Sequence, residues 1–332
     1  MGAVYQAEDI RLEGRLCAIK EVRPDWGTDG VMWRQAQEQF HREASVLARL
    51  DHPNLPKVSD YFTQGDREYL VMDFVAGRNL REILDEAETA ERMLDERRVL
   101  RWAAQLCDAL NYLHSREPPI LHRDIKPSNI KLTPGGLIKL VDFGLVKLLA
   151  PDDDRTITVL QGRGTVAYTP LEQYGGDTGH TDVRSDIYSV GATLYHLLAR
   201  RPPLDAKRRF LHPSAFRSPK ELNPRISPRV ERALLAAIAM HPDDRPRNAA
   251  RFREMLIGSS PLPEPLSALV PTEGEWRYAL QQNRSLLLLA LVAFFVAIVV
   301  TLIAPSASPS PEAATGALLV ALLSVLARWM PS

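Results

Sequence analysis

The sequence predicts an α+β protein of two lobes: a small antiparallel β lobe with one helix, then a larger, mainly helical lobe. An apolar C-terminal part follows that reads as a transmembrane helix or hairpin. Three observations carry this. Short apolar runs with strand periodicity crowd residues 1 to about 85, helical spacing dominates from Leu80 onward, and Ser285 to Ala304 is a run of about 20 residues without a charge.

In chain order, LCAIKEV, NLPKVSDYF and EYLVMDFV read as strands of a mostly antiparallel sheet. A helix over Trp33 to Leu50 interrupts them, with Phe40, Val46, Leu47 and Leu50 on its apolar face. Arg97 to His114 places Val99, Trp102, Ala103, Leu106, Leu110 and Leu113 at helical spacing. NIKLT and LIKLVDF are two short strands joined by the turn Pro134-Gly135-Gly136. Ser185 to Ala199 and Arg229 to Met240 read as further helices, and PLPEPLSALVP, Pro261 to Pro271, as a proline-spaced linker. No internal repeat is visible. The domain boundaries that follow are 1–76 and 77–258 for the two lobes, 259–284 for a juxtamembrane linker and 285–304 for the span. A short Pro/Ser-rich loop, 305–315, then leads to a second apolar helix, 316–330.

At about 1.5 Å per residue, the Ser285–Ala304 run crosses about 30 Å of hydrocarbon. Arg277 and Arg284 precede it and put the N-terminal side in the cytoplasm of a plasma or inner membrane. The stretch after Gly316 is short for a span; it is a return leg with Arg328 back inside, or an interfacial helix. The lipid bilayer is therefore an expected partner. Nucleic acid is not, because 41 basic and 41 acidic residues cancel and leave no global positive field. Cys17 and Cys107, far apart in apolar contexts, are expected to be buried free thiols of a reducing compartment. No basic-then-apolar leader precedes the first charged residues.

The most specific stretch is LHRDIKPSNI, Leu121 to Ile130, followed one hairpin later by Asp142 in VDFGL. His-Arg-Asp with Asn five residues after the Asp, then Asp-Phe-Gly, resembles the catalytic core of eukaryotic-like protein kinases, and the chain from 2 to 257 looks most like bacterial membrane-anchored serine/threonine kinases. The resemblance implies the two-lobed protein kinase fold. It also implies ATP with Mg²⁺ (Mn²⁺ as an alternative), protein Ser/Thr hydroxyls as substrates, and a homodimer for trans-autophosphorylation.

The roles it implies are specific. Asp124 orients the hydroxyl, Lys126 reaches the transferring phosphoryl, and Asn129 and Asp142 hold the metal. Lys20 in LCAIKEV matches the strand lysine that positions phosphates, and Ala18 would cover the adenine. Glu43 is its expected helix partner, with Glu38 on the same helix as the rival, and the interval from Lys20 to Glu43 holds an insertion, EVRPDWGTDGVMWRQ. YLVMDFVAG looks like the hinge, with Met72 at the back of the nucleotide pocket and Asp73 and Val75 offering backbone groups. Thr156 and Thr158 lie in a charged loop where a phosphate could pair with Arg123; they are candidate phosphosites. Thr165 would clamp Asp124 and Lys126 from the substrate side. Pro170-Leu171-Glu172 replaces the usual Ala-Pro-Glu, and Glu172 keeps the carboxylate expected to pair with buried Arg245. Asp186 in SDIYSVG would brace the catalytic loop.

The opening MGAVYQAEDI fits the end of the family's phosphate-covering loop, with Gly2 and Val4 as its last glycine and valine and the next residues continuing a strand. The first strand and two glycines are absent from this sequence. Either the start lies further upstream and the kinase is competent, or the chain begins here and is a weak ATP binder or a pseudokinase serving as a membrane-anchored signalling scaffold.

Overall fold

The computed structural model describes residues 3–22, 30–142, 166–174 and 181–258. The chain divides into two compact units, Met1–Pro271 and Thr272–Ser332. The second unit, with both apolar segments, lies outside the described residues. Among the described residues no helix is long and apolar enough to cross a membrane.

Strands β1 (Val4–Glu8), β2 (Leu16–Val22), β3 (Val58–Gln64) and β4 (Arg67–Asp73) form one antiparallel sheet in the order β1-β2-β4-β3. Alternation explains its two faces: Glu68, Leu70 and Met72 of β4 are buried, while the residues between them are half-exposed. Helix α1 (Gly30–Ala48) covers the sheet and buries Phe40, Ala44 and Leu47, spaced by four and three. Val46, expected on this face, is 45% exposed. One residue before Leu47 is about 100° around the helix, off the buried stripe.

The second lobe opens on β5 (Arg78–Asn79), which joins β6 (Ile130–Leu132) and β7 (Ile138–Leu140) in a small sheet of order β5-β6-β7. Its helices are α2 (Leu80–Thr89), α3 (Glu96–His114), α4 (Val183–Ala199), α5 (Ala206–Leu211), α6 (Pro219–Leu222), α7 (Pro228–Ala237) and α8 (Ala249–Ile257). Asn79 starts α2 with a capping box: its Oδ1 accepts from the Glu82 amide at 2.9 Å, and Glu82 Oε2 accepts from the Asn79 amide at 3.1 Å. All six apolar residues expected on the inner face of α3 are buried. In α4 every residue from Ser185 to Ala199 is buried, as a helix apolar nearly all round must be. Gly191 lets α7 come close, since a β-carbon there would fall 2.7 Å from that of Ala237. Helix α7 ends at Ala237 rather than Met240. Pro242 holds His241 extended (φ −82°, ψ 134°), so the helix must stop upstream.

Candidate active site between the lobes

Register assembles the upper wall of the site. Val4 pairs with Lys20, Lys20 with Leu70, and Ala18 with Met72 across β1, β2 and β4. Directly paired residues project from the same face, so Val4, Ala18, Lys20 and Met72 share one side of the sheet. Met72 and Lys20 are buried there, and Val4, on the outermost strand, is 60% exposed. The strand then leaves the sheet: the Asp73 amide donates to Lys57 O at 2.9 Å, and Val75 is buried. Gly77 is required where the chain crosses to the second lobe. Its φ is +107°, and a β-carbon would sit 2.1 Å from the Leu132 carbonyl oxygen.

The lower wall comes from one hairpin. Ile130 pairs with Leu140, and the Val141 amide donates to Asn129 O at 2.8 Å. The residues just before β6 and just after β7, Asn129 and Asp142, are therefore neighbours. Asn129 Nδ2 donates to Asp124 O at 2.8 Å and to Asp124 Oδ2 at 3.0 Å, and Lys126 Nζ donates to the same Oδ2 at 2.9 Å. Lys20 Nζ forms an ion pair with Asp142 Oδ1, which joins the two walls. On α1, Glu43 is half-buried and its Oε2 is enclosed, whereas Glu38 is exposed. Of the two carboxylates, Glu43 is the one that faces inward.

Two non-glycine residues at the centre, Arg123 (φ 62°) and Asp142 (φ 66°), occupy the left-handed region. Such strain persists only where neighbours over-determine it, and for Arg123 the neighbour is Asp186. The Asp186 carboxylate accepts the His122 amide at 2.9 Å, the Arg123 amide at 2.8 Å and His114 Nε2 at 2.9 Å. Burial opposes its charge, but the hydrogen bond and charge of His114, with His122 beside it, hold its pKa below the usual carboxylate value. Burial pushes the His122 pKa down, against the pull of Asp186, Asp124 and Asp142. The His122 Nδ1 takes the Asp124 amide at 3.4 Å, and its Nε2–H faces Val141 O at 3.3 Å.

Farther out, Arg245 donates Nη1 to Glu172 Oε1 at 2.6 Å and Nη2 to Oε2 at 3.1 Å, and Ser185 Oγ donates to Oε1 at 2.7 Å. Burial raises the Glu172 pKa, but Arg245 outweighs it and the net direction is down. Gly2, Thr156, Thr158 and Thr165 lie outside the described residues. Both cysteines are free and buried, and burial pushes the Cys107 thiol up to about 12.

Three groups were missed in the sequence. His114 ends α3 and touches Asp186. Asn54 sends Nδ2 to Ile138 O at 2.7 Å and to Gln105 Oε1 at 3.0 Å. Tyr168 OH lies 2.6 Å from His196 Nδ1 inside the helical lobe. His114 and His196 sit on α3 and α4, where each reads as a polar residue among apolar ones; nothing in the sequence pairs them with their partners.

The residues fit a hard divalent cation. Asn129 commits its amide nitrogen to Asp124; its Oδ1, which accepts from Ser128 Oγ at 3.3 Å, keeps a second lone pair for a cation, with Asp142 next to it. Two oxygen donors suit Mg²⁺, which is commonly held by a few protein oxygens together with phosphate.

A fold with a strand-rich lobe over a helical one, and two lysines, an asparagine and two aspartates gathered in the cleft, defines a class before any comparison. The family model described as "Protein kinase domain" matches residues 1–249. A probable serine/threonine-protein kinase of Streptomyces coelicolor is 35% identical over 263 residues, covering 76% of this chain and 37% of that protein. The serine/threonine-protein kinase PknB of Mycolicibacterium smegmatis is 33% identical over 266 residues, covering 77% of this chain and 40% of PknB. Among solved structures, PpkA in its apo form aligns with a TM-score of 0.63 at 30% identity, covering 77% of this chain and 91% of that one. The PknI kinase domain of Mycobacterium tuberculosis aligns with a TM-score of 0.57 at 27% identity, covering 77% and 90%. The chain belongs to the protein kinase family, and the two curated relatives named above are bacterial proteins named as serine/threonine kinases. It spans about two fifths of the length of those relatives.

Proposed function

We propose that the protein transfers the γ-phosphoryl group of ATP to serine and threonine hydroxyls of proteins. The observation that carries this is the convergence of Lys20, Asp124, Lys126, Asn129 and Asp142 in one cleft, held there by backbone pairing and by Asp186. Mg²⁺ held by Asn129 and Asp142 supplies neutralisation of the phosphate oxygens when bound.

The chain's own groups do the rest. Asp124, its Oδ2 fixed between Lys126 and Asn129, is oriented to accept a hydrogen bond from the substrate hydroxyl and take its proton. Lys126 stands beside that oxygen to offset negative charge as it moves. Lys20, paired with Asp142, orients phosphates from the strand lobe, with Glu43 as its helix-side partner. Ala18, Met72 and Val4 provide an apolar wall for the base. The apolar run Ser285–Ala304 anchors this domain at a bilayer, with the kinase lobes on the cytoplasmic side.

The test is phosphate transfer from labelled ATP, by the wild-type chain and by Asp124→Asn. Loss of a positioned base costs about 10²–10⁴-fold. Transfer by Asp124→Asn at the wild-type rate removes Asp124 from the reaction. A folded wild-type chain that transfers nothing assigns it a scaffolding role instead.

A further inference from the structure

The helical lobe carries a surface that the cleft does not use. Ala206 to Lys220 reads AKRRFLHPSAFRSPK, with five basic residues and no acidic one, in a chain whose formal charge is zero. Phe210 and Leu211 lie side by side within it, 64% and 68% exposed. Lys207, Arg208 and Arg217 are exposed around them.

The segment is anchored. Asp205 caps α5 by accepting the Arg208 amide at 3.0 Å, and its Oδ2 lies 3.4 Å from Arg208 Nε, which offsets part of that one charge. Ala206 is fully buried, and Arg209 turns inward to donate to Ile238 O at 2.5 Å while stacking 4.1 Å over the Phe216 ring. Tyr195 OH donates to Arg217 O at 2.8 Å. A firmly seated backbone thus presents two adjacent large apolar side chains to solvent, with basic side chains in excess around them.

We propose that this surface is a membrane-docking face, which lays Phe210 and Leu211 into the interface of an anionic bilayer while Lys207, Arg208 and Arg217 meet the lipid phosphates. A mainly basic rim around two exposed apolar side chains matches a negative phosphate layer above hydrocarbon. The proposal rests on the membrane reading of Ser285–Ala304. Residues 259–284, 26 in number, connect the last described helix to that run. Fully extended, a chain of that length reaches at most about 90 Å, so the proposed anchor and the proposed face can meet one membrane. Docking there would fix how the cleft is oriented to the membrane.

The test uses the full chain reconstituted into vesicles of phosphatidylcholine, with or without phosphatidylglycerol. An environment-sensitive fluorophore is attached at Ser214→Cys, the two native thiols being buried. The expected result is a blue shift only in the anionic vesicles. Each basic residue near an anionic leaflet contributes about fivefold, so Arg208→Gln with Arg217→Gln should lower the ratio of docked to free lobe about 25-fold. Phe210→Ser with Leu211→Ser should abolish the shift while thermal unfolding stays unchanged. A chain that floats with the vesicles but emits identically in both lipids overturns the docking face and leaves the anchor intact. If the chain does not float with neutral vesicles, the anchor reading fails separately. Flotation with anionic vesicles then decides the face: binding lost in both double variants supports it, and no binding overturns it. A blue shift given by poly-glutamate and not by vesicles assigns the surface to an acidic protein partner and likewise overturns the proposal.

Discussion

Replacing Asp186 by asparagine isolates the charge that shapes the catalytic loop. In the wild-type protein Oδ2 accepts both the His122 amide and His114 Nε2, and Oδ1 accepts the Arg123 amide. Asparagine brings one oxygen and one NH₂ group. With its oxygen at the Oδ2 position it keeps two donors and presents N–H to the Arg123 amide; turned over, it keeps one donor and opposes two. The better arrangement still loses one hydrogen bond to a charged acceptor and buries an opposed donor pair, a cost of about 3 kcal/mol.

For a domain of this size each kcal/mol moves the melting temperature by about 2–4 °C, so Asp186→Asn should melt about 6–12 °C lower. The loss has a direction. The strained Arg123 backbone, worth about 1 kcal/mol, is no longer held, and its relaxation moves Asp124, the next residue. Phosphate transfer should therefore fall further than stability alone requires, at a temperature where the variant is still folded. Thermal unfolding and initial-rate kinetics read the two effects separately. A variant that melts within about 2 °C of wild type and transfers phosphate at the same rate would refute this bracing role, because it would show that the three donors do not need the charge.

Glu172→Gln should cost about 3–5 kcal/mol, since it leaves the fully enclosed Arg245 guanidinium without its anion; an unchanged denaturation midpoint would count against the pairing. His196 gives a pH dependence. Burial, with Arg81 nearby, lowers its pKa from 6.5 to about 4, and Glu88 Oε1 at 3.6 Å does not reverse this. A depressed pKa means that the stabilisation is complete above pH 6.5 and is lost as pH falls through about 4, amounting to about 3 kcal/mol over that window. His196→Gln should flatten the unfolding free energy between those limits, and a slope equal to that of wild type would show that other groups carry the titration.

The sequence displayed the site better than it displayed the supports. The HRD and DFG elements are local strings, and the hairpin between them could be read from two Ile-Lys-Leu triplets and a Pro-Gly-Gly turn. Asn129 and Asp142 were therefore legible as neighbours. The strand pattern around Lys20 likewise fixed which residues share its face, because the side-chain period of a strand is two. What stayed hidden depends on long-range packing. His114 reads as a polar helix end, and only the arrival of α4 makes it a partner of Asp186. Tyr168 and His196 are 28 residues apart and meet inside an apolar interior, where neither period nor propensity marks them. Val46 shows the opposite error, an apolar residue placed on the inner face by composition although its helical angle points it outward. Helix α8 could have been found: Asn248 caps it, accepting the Arg251 amide at 2.8 Å, and Phe252 and Leu256 follow one turn apart.

The cleft residues come from both lobes, and Asn54 ties these contributions together. This buried residue lies between α1 and β3, yet it contacts β7. Its carbonyl oxygen accepts the Leu140 amide at 2.8 Å, and its side chain reaches Ile138 O and Gln105 Oε1. Lys139 Nζ adds a bond to Leu55 O at 2.9 Å. The strand leading to Asp142 is thus stitched to the segment that enters the sheet lobe, while Asp124 is held from the helical side by Asp186. The metal-side and hydroxyl-side carboxylates have separate supports. Asn54→Ala removes both Nδ2 hydrogen bonds and leaves the buried Ile138 carbonyl without its side-chain donor, while Gln105 Oε1 keeps the Ile138 amide at 2.9 Å, a cost of about 1–3 kcal/mol. Because the support lost is that of Asp142, the Mg²⁺ concentration needed for half-maximal transfer should rise, with the apparent KM for the protein substrate unchanged. The reverse pattern is expected of Asp186→Asn, whose effect passes through Asp124. If Asn54→Ala loses stability while its Mg²⁺ requirement stays at the wild-type value, the stitch holds the lobes together without positioning Asp142, and the two-support account of the cleft fails.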